Sequence, residues 1–307
     1  MSARATPLQV AVVDVGSILT RTGGFLATVC SHTLQPYRGC ALGRSLCGVG
    51  CYVRHNPWVT RGREWGAFVE SRQNADEAYR RQYASERTWA RRGALGRFGV
   101  FLSSSTEPFQ PLEFAPQDRG GGATRRVLRA MRDLPSDELI VQTHTHRVID
   151  AADALLDAAT AIMAAGGMTR VHLSIESDRD RLPGLPPPAS PVARRIASAV
   201  ALRRAGLTVV ITVAPLLPMD DADGFFAHLR AERAADAVVI DHYLAGGDGS
   251  PRGDGARTSR TALPAAMAAV NPASTTVAYR DAIATVARRH FPGRVGIGAG
   301  GFSGRYE

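Results

Sequence analysis

The run Ala151-Ala-Asp-Ala-Leu-Leu-Asp-Ala-Ala-Thr-Ala-Ile-Met-Ala-Ala-Gly-Gly167, leading into Thr169-Arg-Val-His-Leu-Ser-Ile175, carries the pattern from which the fold is read. Its first part is an Ala-rich helix, and the glycine pair is a strong helix stop. Its second part is a short strand. The same order recurs downstream. Val192 to Ala205 reads as a helix closed by Gly206, and Leu207 to Ala214 as a β-branched strand of the kind buried on both faces. Asp221 to Ala235 is then a helix and Ala237 to Leu244 a strand. Upstream, helices over Asp76 to Arg92 and Thr124 to Leu134 alternate with strands over Arg97 to Leu102 and Leu139 to Thr143. Such alternation implies βαβ units around a parallel sheet. About six units fit before Leu244, which suits an α/β fold built as a partial (β/α)6-type TIM barrel. In such folds chemistry sits at the carboxyl ends of the strands.

Outside this core, strands are expected over Val10 to Asp14 and Gly66 to Glu70, and an extended segment over Gly24 to Thr33. Gly246 to Thr261 reads as a mobile loop, Thr275 to His290 as a helix and Arg294 to Ile297 as a short strand. The expected organisation is a single domain over 1–307, with a core of about 24–245 and a C-terminal extension of about 246–307.

The chain has 307 residues, 45% of them apolar, enough for one large core. The longest apolar candidate for a membrane span, Leu207 to Met219, is too short and contains Pro215 and Pro218. Met1 to Pro7 has no signal-peptide core, so a cytoplasmic protein is expected. The formal charge is +9, and every fixed positive charge is Arg. The absence of Lys excludes a Schiff-base lysine and a P-loop lysine. A polyanion partner and a merely solvated Arg-rich surface are both compatible with this charge, and the second is the simpler reading. Aromatics make up only 7%, so nucleic acid is not the favoured partner.

All four cysteines lie between Cys30 and Cys51, which points to metal or redox chemistry rather than disulfide stapling. Cys40, Cys47 and Cys51 share one loop with Gly39, Gly43, Gly48 and Gly50, residues that allow tight winding. Three thiolates suit three corners of an iron–sulfur cluster with one iron left open; a structural zinc site wants four ligands. Cys30 is a candidate fourth ligand, or else a small buried apolar residue. His32 or His55 would complete a Cys3His zinc site.

Several strand ends are polar. Ser105, Thr106 and Glu107 follow the strand ending at Leu102 and suit a ligand's ammonium group, or a plain cap cluster. His144 and His146 follow Thr143, where the turn should splay the pair. Ser174 and Glu176 share one face of the next strand end, and His242 and Tyr243 lie near a later one.

The runs Ser17-Ile-Leu-Thr20, Gly24-Phe25, His32-Thr-Leu-Gln-Pro-Tyr-Arg-Gly-Cys40 and Cys51-Tyr-Val-Arg54 resemble the radical S-adenosylmethionine superfamily, in its spore photoproduct lyase-like branch. The resemblance continues through Trp65-Gly66, Phe68-Val69, Ser103 to Pro111, Leu139 to His146, Leu173 to Ser177 and Val213-Ala-Pro215. It implies a [4Fe-4S] cluster on Cys40, Cys47 and Cys51. It also implies S-adenosyl-L-methionine near Tyr52, Ser105, Thr106, Glu107, His144, Ser174 and Glu176. Reductive cleavage would then yield a 5′-deoxyadenosyl radical that takes hydrogen from a substrate, with electrons from a reductant such as flavodoxin or ferredoxin. The loop departs from the family pattern. Six residues separate Cys40 from Cys47 and three separate Cys47 from Cys51, where the family has three and two. Gly50 precedes Cys51 where an aromatic is usual. The lyase uses a further cysteine as hydrogen donor, and this chain has none after Cys51, which weakens DNA-lesion repair as the reaction. No catalytic residue and no substrate can be named from the sequence.

Three other motifs carry little. Gly296-x-Gly298-x-x-Gly301 has too little chain after it for a dinucleotide-binding helix. Arg252-Gly-Asp254 is an adhesion tripeptide by letters only, and Pro186-Pro-Pro188 is a stiff connector.

Overall fold

A computed structural model describes residues 6–116, 121–244 and 254–307. In chain order the strands are β1 (Gln9–Val13), β2 (Leu19–Arg21), β3 (His32–Leu34), β4 (Tyr37–Gly39), β5 (Phe68–Arg72), β6 (Gly99–Leu102), β7 (Glu138–Thr143), β8 (Met168–Ser174), β9 (Val209–Val213), β10 (Ala237–Ile240) and β11 (Val295–Ile297). The helices are α1 (Leu46–Gly50), α2 (Pro57–Thr60), α3 (Ala75–Arg92), α4 (Ala123–Asp133), α5 (Ala152–Ala164), α6 (Val192–Arg204), α7 (Ala222–Ala231), α8 (Asp254–Thr258), α9 (Leu263–Val270), α10 (Val277–His290) and α11 (Gly298–Phe302).

The main sheet has eight strands in the order β11-β10-β9-β8-β7-β6-β3-β2. All pairings are parallel except β2 on β3. The helices between β6 and β10 are the crossovers that parallel neighbours require. The sheet is open, so no closed barrel forms. A second sheet, β1-β5-β4, stands apart and takes β1 out of the main one.

Side chains alternate along each strand and sort into two layers. Val100, Leu102, Leu139, Val141, Val171, Leu173, Val209, Ile211, Val213, Val238 and Ile240 join the core shared with the helices. The opposite parity gives a smaller core of Phe101, Ile140, Val210, Ala237 and Val239, closed by Val29, Cys30 and Phe302. Each fully buried Val, Leu or Ile contributes roughly 1.5–3 kcal/mol, so this two-sided burial dominates the sheet's stability. Farther along the second face the residues turn polar: Gln142 and His144 on and after β7, Ser174 and Glu176 at β8, Thr212 on β9, Asp241 after β10. That transition from apolar floor to polar rim marks the carboxyl ends as the candidate site.

Three expectations change. Gly24–Thr28 is a 3-10 turn rather than extended chain, and only His32–Leu34 of that segment pairs as strand. β10 stops at Ile240, because Asp241 can lie in the apolar floor only at a desolvation cost. Of the expected 246–261 loop, 246–253 lie outside the described residues, as do Arg252 and Gly253 of the tripeptide, whereas Asp254–Thr258 is helical. Among the described residues no helix is long and apolar enough to cross a membrane.

Candidate active site at the cysteine loop

The loop from Gly39 to Cys51 is wound on glycine. Gly39 has φ +81, and a Cβ there would lie 2.3 Å from the Phe68 carbonyl oxygen. A Cβ on Gly48 would lie 2.2 Å from the backbone of Gly43, and one on Gly43 2.5 Å from Gly66 N. Backbone passes backbone at these points, so a side chain has no room. The loop is then stitched to the segment after β6. Thr106 Oγ1 donates to the Gly39 carbonyl (2.5 Å), Ala41 N–H donates to buried Gln110 Oε1 (2.9 Å), and Tyr52 Oη donates to the Ser104 carbonyl (2.5 Å). Ser103, which begins that segment, is buried in the left-handed region at φ 68, a strained conformation for a serine.

All four cysteines are free thiols. Cys40 and Cys51 share an apolar cluster with Val53, Trp65, Phe68 and Val59. Burial and then the neighbouring Cys47 push the Cys51 thiol up to about 12. Burial, Cys47, Glu107 and Cys51 push the Cys40 thiol well up. The neighbouring sulfurs thus oppose ionisation of Cys40 and Cys51, and a bound cationic centre would offset that cost. Among the described residues, no three His, Cys, Asp or Glu side chains gather around one point as a single metal ion requires. Cys30 lies in the floor, fully buried, with its thiol pushed up to about 12 by burial and by Glu138. It is the small apolar residue and not a loop member. His32 is also elsewhere, buried between Ser31 Oγ (2.9 Å) and Glu86 Oε2 (2.9 Å). His55 is exposed.

A chain of charged groups runs from the loop across the strand ends. His144 lies within electrostatic reach of Cys47, and its Nδ1 donates to Glu176 Oε1 (2.7 Å). Arg195 Nη1 donates to Glu176 Oε2 (2.6 Å) and to the Ser174 carbonyl (2.7 Å). Burial opposes a charge on His144, but Cys47 and Glu176 outweigh it and lift the imidazole well above its ordinary value. Burial likewise opposes ionisation of Glu176, but Arg195 and His144 hold its carboxyl far below the usual carboxylate range. His146 is splayed away as expected, onto Ser190 Oγ (2.7 Å).

The remaining expected residues are also placed. Glu107 is buried and accepts from Phe109 N (3.0 Å), Thr143 Oγ1 (2.7 Å) and His144 N (2.8 Å), so it ties the ends of β6 and β7 together. The Ser105 hydroxyl is half-buried with no partner among the described residues, and its backbone N–H reaches Gln35 Oε1 (3.3 Å). Ser174 Oγ joins a lateral ladder, accepting from Gln142 Nε2 (2.6 Å) and bonding Thr212 Oγ1 (2.9 Å). Gln142 Oε1 is buried without a partner. His242 and Tyr243 do not face the site. His242 Nε2 donates to the Ser274 carbonyl (2.8 Å), and Tyr243 packs with Leu46, Leu182, Leu217, Leu263 and Met267.

Asp241, which the sequence reading passed over, takes their place. It shares parity with Ala237 and Val239, and among the described residues its carboxylate accepts only from the N–H of His242 (2.9 Å). Burial pushes it up to about 6. The signal was present: a lone carboxylate two residues beyond an inward-facing Val at a strand end.

No family model and no curated protein sequence matches this chain. Among solved structures the chain is similar to a mutant spore photoproduct lyase, at 16% identity and a TM-score of 0.49. The match covers 76% of this chain, which spans 61% of that one. At that identity and TM-score the likeness says nothing about activity.

Proposed function

We propose that this chain is a radical S-adenosylmethionine enzyme, built as one domain on a partial (β/α)6-type barrel. The observation that carries the reading is the glycine-wound loop itself. It presents three free thiols beside the polar carboxyl ends of a parallel sheet, where Cys47 raises the thiols of Cys40 and Cys51 and acts electrostatically on His144 after β7.

The residues fit an iron–sulfur cluster. Soft thiolates are its usual ligands, and a cluster spaces three sulfurs more widely than a single ion does. Cys40, Cys47 and Cys51 would hold it. When bound, the cluster would supply one electron for reductive cleavage of the sulfonium C–S bond of S-adenosylmethionine. The protein's own groups do the rest. Thr106, Gln110 and Tyr52 fix the loop backbone, and Glu176 fixes the His144 ring against Cys47. Among the described residues the Ser105 hydroxyl and the orphaned Ser103 Oγ, Gln110 Nε2 and Gln142 Oε1 are polar atoms without a partner that could serve the cofactor. Glu107 and Ser174, whose polar atoms are already engaged, shape the pocket from behind. Leu263 packs on Gly50 and joins Leu46 and Tyr243 in an apolar cover that keeps water from the loop.

Anaerobic purification should give brown protein with iron and sulfide near about four each per chain, the cubane stoichiometry. Dithionite plus S-adenosylmethionine should then release 5′-deoxyadenosine. Well-loaded protein that yields none is not a radical enzyme. Cys47→Ala should lose the cluster, and full iron retention by that variant would refute the ligand assignment.

A further inference from the structure

Three helices that feed the main sheet stop in the same motif. After α5, α6 and α7 the amides of Gly166, Gly206 and Arg233 donate to the carbonyls of Met163, Arg203 and Arg230. The amides that follow, of Gly167, Leu207 and Ala234, reach back to Ile162, Leu202 and Leu229. Such a stop needs a left-handed residue at its centre, which glycine adopts without penalty. Gly166 has φ +82 and Gly206 φ +98, but α7 sets an arginine there, at φ 54. The motif itself does not ask for that side chain, since the two sister helices manage with glycine. Arg233 is exposed, and its side chain makes no hydrogen bond or ion pair among the described residues. Strain held at a residue with no structural partner calls for another use of that residue.

Arg233 lines a cleft of about 280 Å³ at the amino ends of β9, β10 and β11, where α6, α7 and α10 finish. Arg203, Arg230 and Arg294 line it too, with Phe291 and Pro292 as an apolar wall. An adjoining hollow of about 460 Å³ shares Arg203 and Arg233 and adds Arg204 and one carboxylate, Glu232. Arginines at helix carboxyl ends ordinarily neutralise the partial negative charge there. Two of these do so. Arg203 donates to the Arg233 carbonyl and pairs with Asp236 (2.6 Å), and Arg230 donates to the His290 carbonyl. Nearby Asp223 is taken up by His290 (2.9 Å) and Arg289 (3.0 Å). The side chains of Arg233 and Arg294 are spent on nothing among the described residues. Of the four guanidiniums on the cleft Asp236 neutralises one, Arg203, and leaves three. Like charges gathered in a concavity focus a positive potential that an anion relieves.

We propose that this cleft binds a diphosphate group. A guanidinium fork matches paired phosphoryl oxygens, and several forks around one hollow suit adjacent phosphates. The volume lies at the small end of ligand pockets, which run from about 300 to 1,000 Å³, so the occupant is compact. A nucleic-acid backbone would instead ask for cations strung along a stripe, and these surround a hollow. The cleft lies at the opposite end of the strands from the cysteine loop, so the proposal is independent of the radical reading.

The test is calorimetric titration of inorganic diphosphate into wild type, Arg233→Gly and Arg294→Ala at several salt concentrations. Glycine is the residue the sister helices use and Arg294 is exposed, so both variants should fold. Wild type should bind, weakening as salt rises, and each variant should bind about tenfold more weakly. Arg233→Gly carries a second readout. Without ligand its urea midpoint should equal or exceed that of wild type, because the strain is gone, while diphosphate should raise the midpoint of wild type far more than that of the variant. ADP titrated alongside separates the sources: tighter binding than inorganic diphosphate marks a nucleotide ligand, weaker binding a smaller diphosphate, and either supports the site. No binding by wild type, or unchanged affinity in both variants, overturns the assignment. So does sulfate binding as tightly as diphosphate, which would reduce the cleft to a general cationic patch. Loss of duplex DNA binding in the variants with diphosphate binding intact overturns it as well, in favour of a nucleic-acid surface.

Discussion

At the scale of single residues, half-buried Asp241 and buried Glu176 at the mouth of the sheet are carboxylates in opposite states. Asp241 makes no ion pair among the described residues, and burial, only partly offset by the His242 N–H and Arg280, lifts it to about 6. In the unfolded chain its pKa is about 3.9. Between those values the folded protein binds the extra proton, so stability falls as pH rises through that window. Asp241→Asn keeps the shape and the acceptor for His242 N–H. It should gain about 1–2 kcal/mol at pH 7.5 and nothing below about pH 4, read from urea unfolding at both pH values. A gain of equal size at both would mean that the charge is not the cause. Glu176 is the reverse case, with Arg195 and then His144 holding its carboxyl far below the usual range. Its stabilisation is present above the unfolded value of about 4.3 and is lost as pH falls below it. Arg195→Met strips the larger partner from a buried charge. It should cost about 3–5 kcal/mol at pH 7.5 and clearly less near pH 4, where Glu176 can take up a proton. A pH-independent loss would point to packing alone.

At the scale of elements, the helices and most strands were legible because their signals are local: Gly166 and Gly206 stop helices, and β-branched runs make β8 and β9. The conversion of Gly24–Thr28 to a 3-10 turn and the pairing of β1 with β5 were not legible, because tertiary partners decide them. The three thiols and His144 could be nominated from sequence. Arg195 and Gln110 could not, since a helix and a loop far along the chain bring them in. The winding of the cysteine loop lies between these cases. Its glycines were visible, and the structure shows which of them are obligatory. Gly48→Ala places a methyl 2.2 Å from the Gly43 backbone, so the loop must rewind. Iron loading should drop severalfold while far-UV circular dichroism stays native, because α1 is only a small part of the helical content. Full loading would show that the loop has slack. Gly62, with nothing near its missing Cβ, is the control for composition, although its φ of +77 adds local strain.

At the scale of the whole molecule, the sheet separates an apolar floor that holds the fold from a polar rim that forms the candidate site. The floor is closed by residues 295–307, which turn back so that Glu307 N–H donates to the Val295 carbonyl (2.9 Å). Phe302 is driven into the concave face. It stacks on His172 at 5.4 Å and 22°, and meets Phe25 edge-on at 5.7 Å. His172 has both ring nitrogens buried without a partner, and burial lowers it well below its ordinary value, so it serves here as a neutral flat surface. The Gly296-x-Gly298-x-x-Gly301 segment finds its purpose in this closure. A Cβ on Gly301 would strike the Gly296 backbone at 2.7 Å, so those glycines let α11 fold tightly against β11 and deliver Phe302. Because floor and rim are distinct layers, damage to one should spare the other. Phe302→Ala should cost about 3–5 kcal/mol, the usual loss for a buried Phe, seen as a lower urea midpoint. Iron and sulfide content of the folded protein should remain that of wild type, because Cys40, Cys47 and Cys51 share no apolar cluster with Phe302. If the variant instead lost its metal while keeping its urea midpoint, the floor would be part of the active site and the division into layers would be wrong.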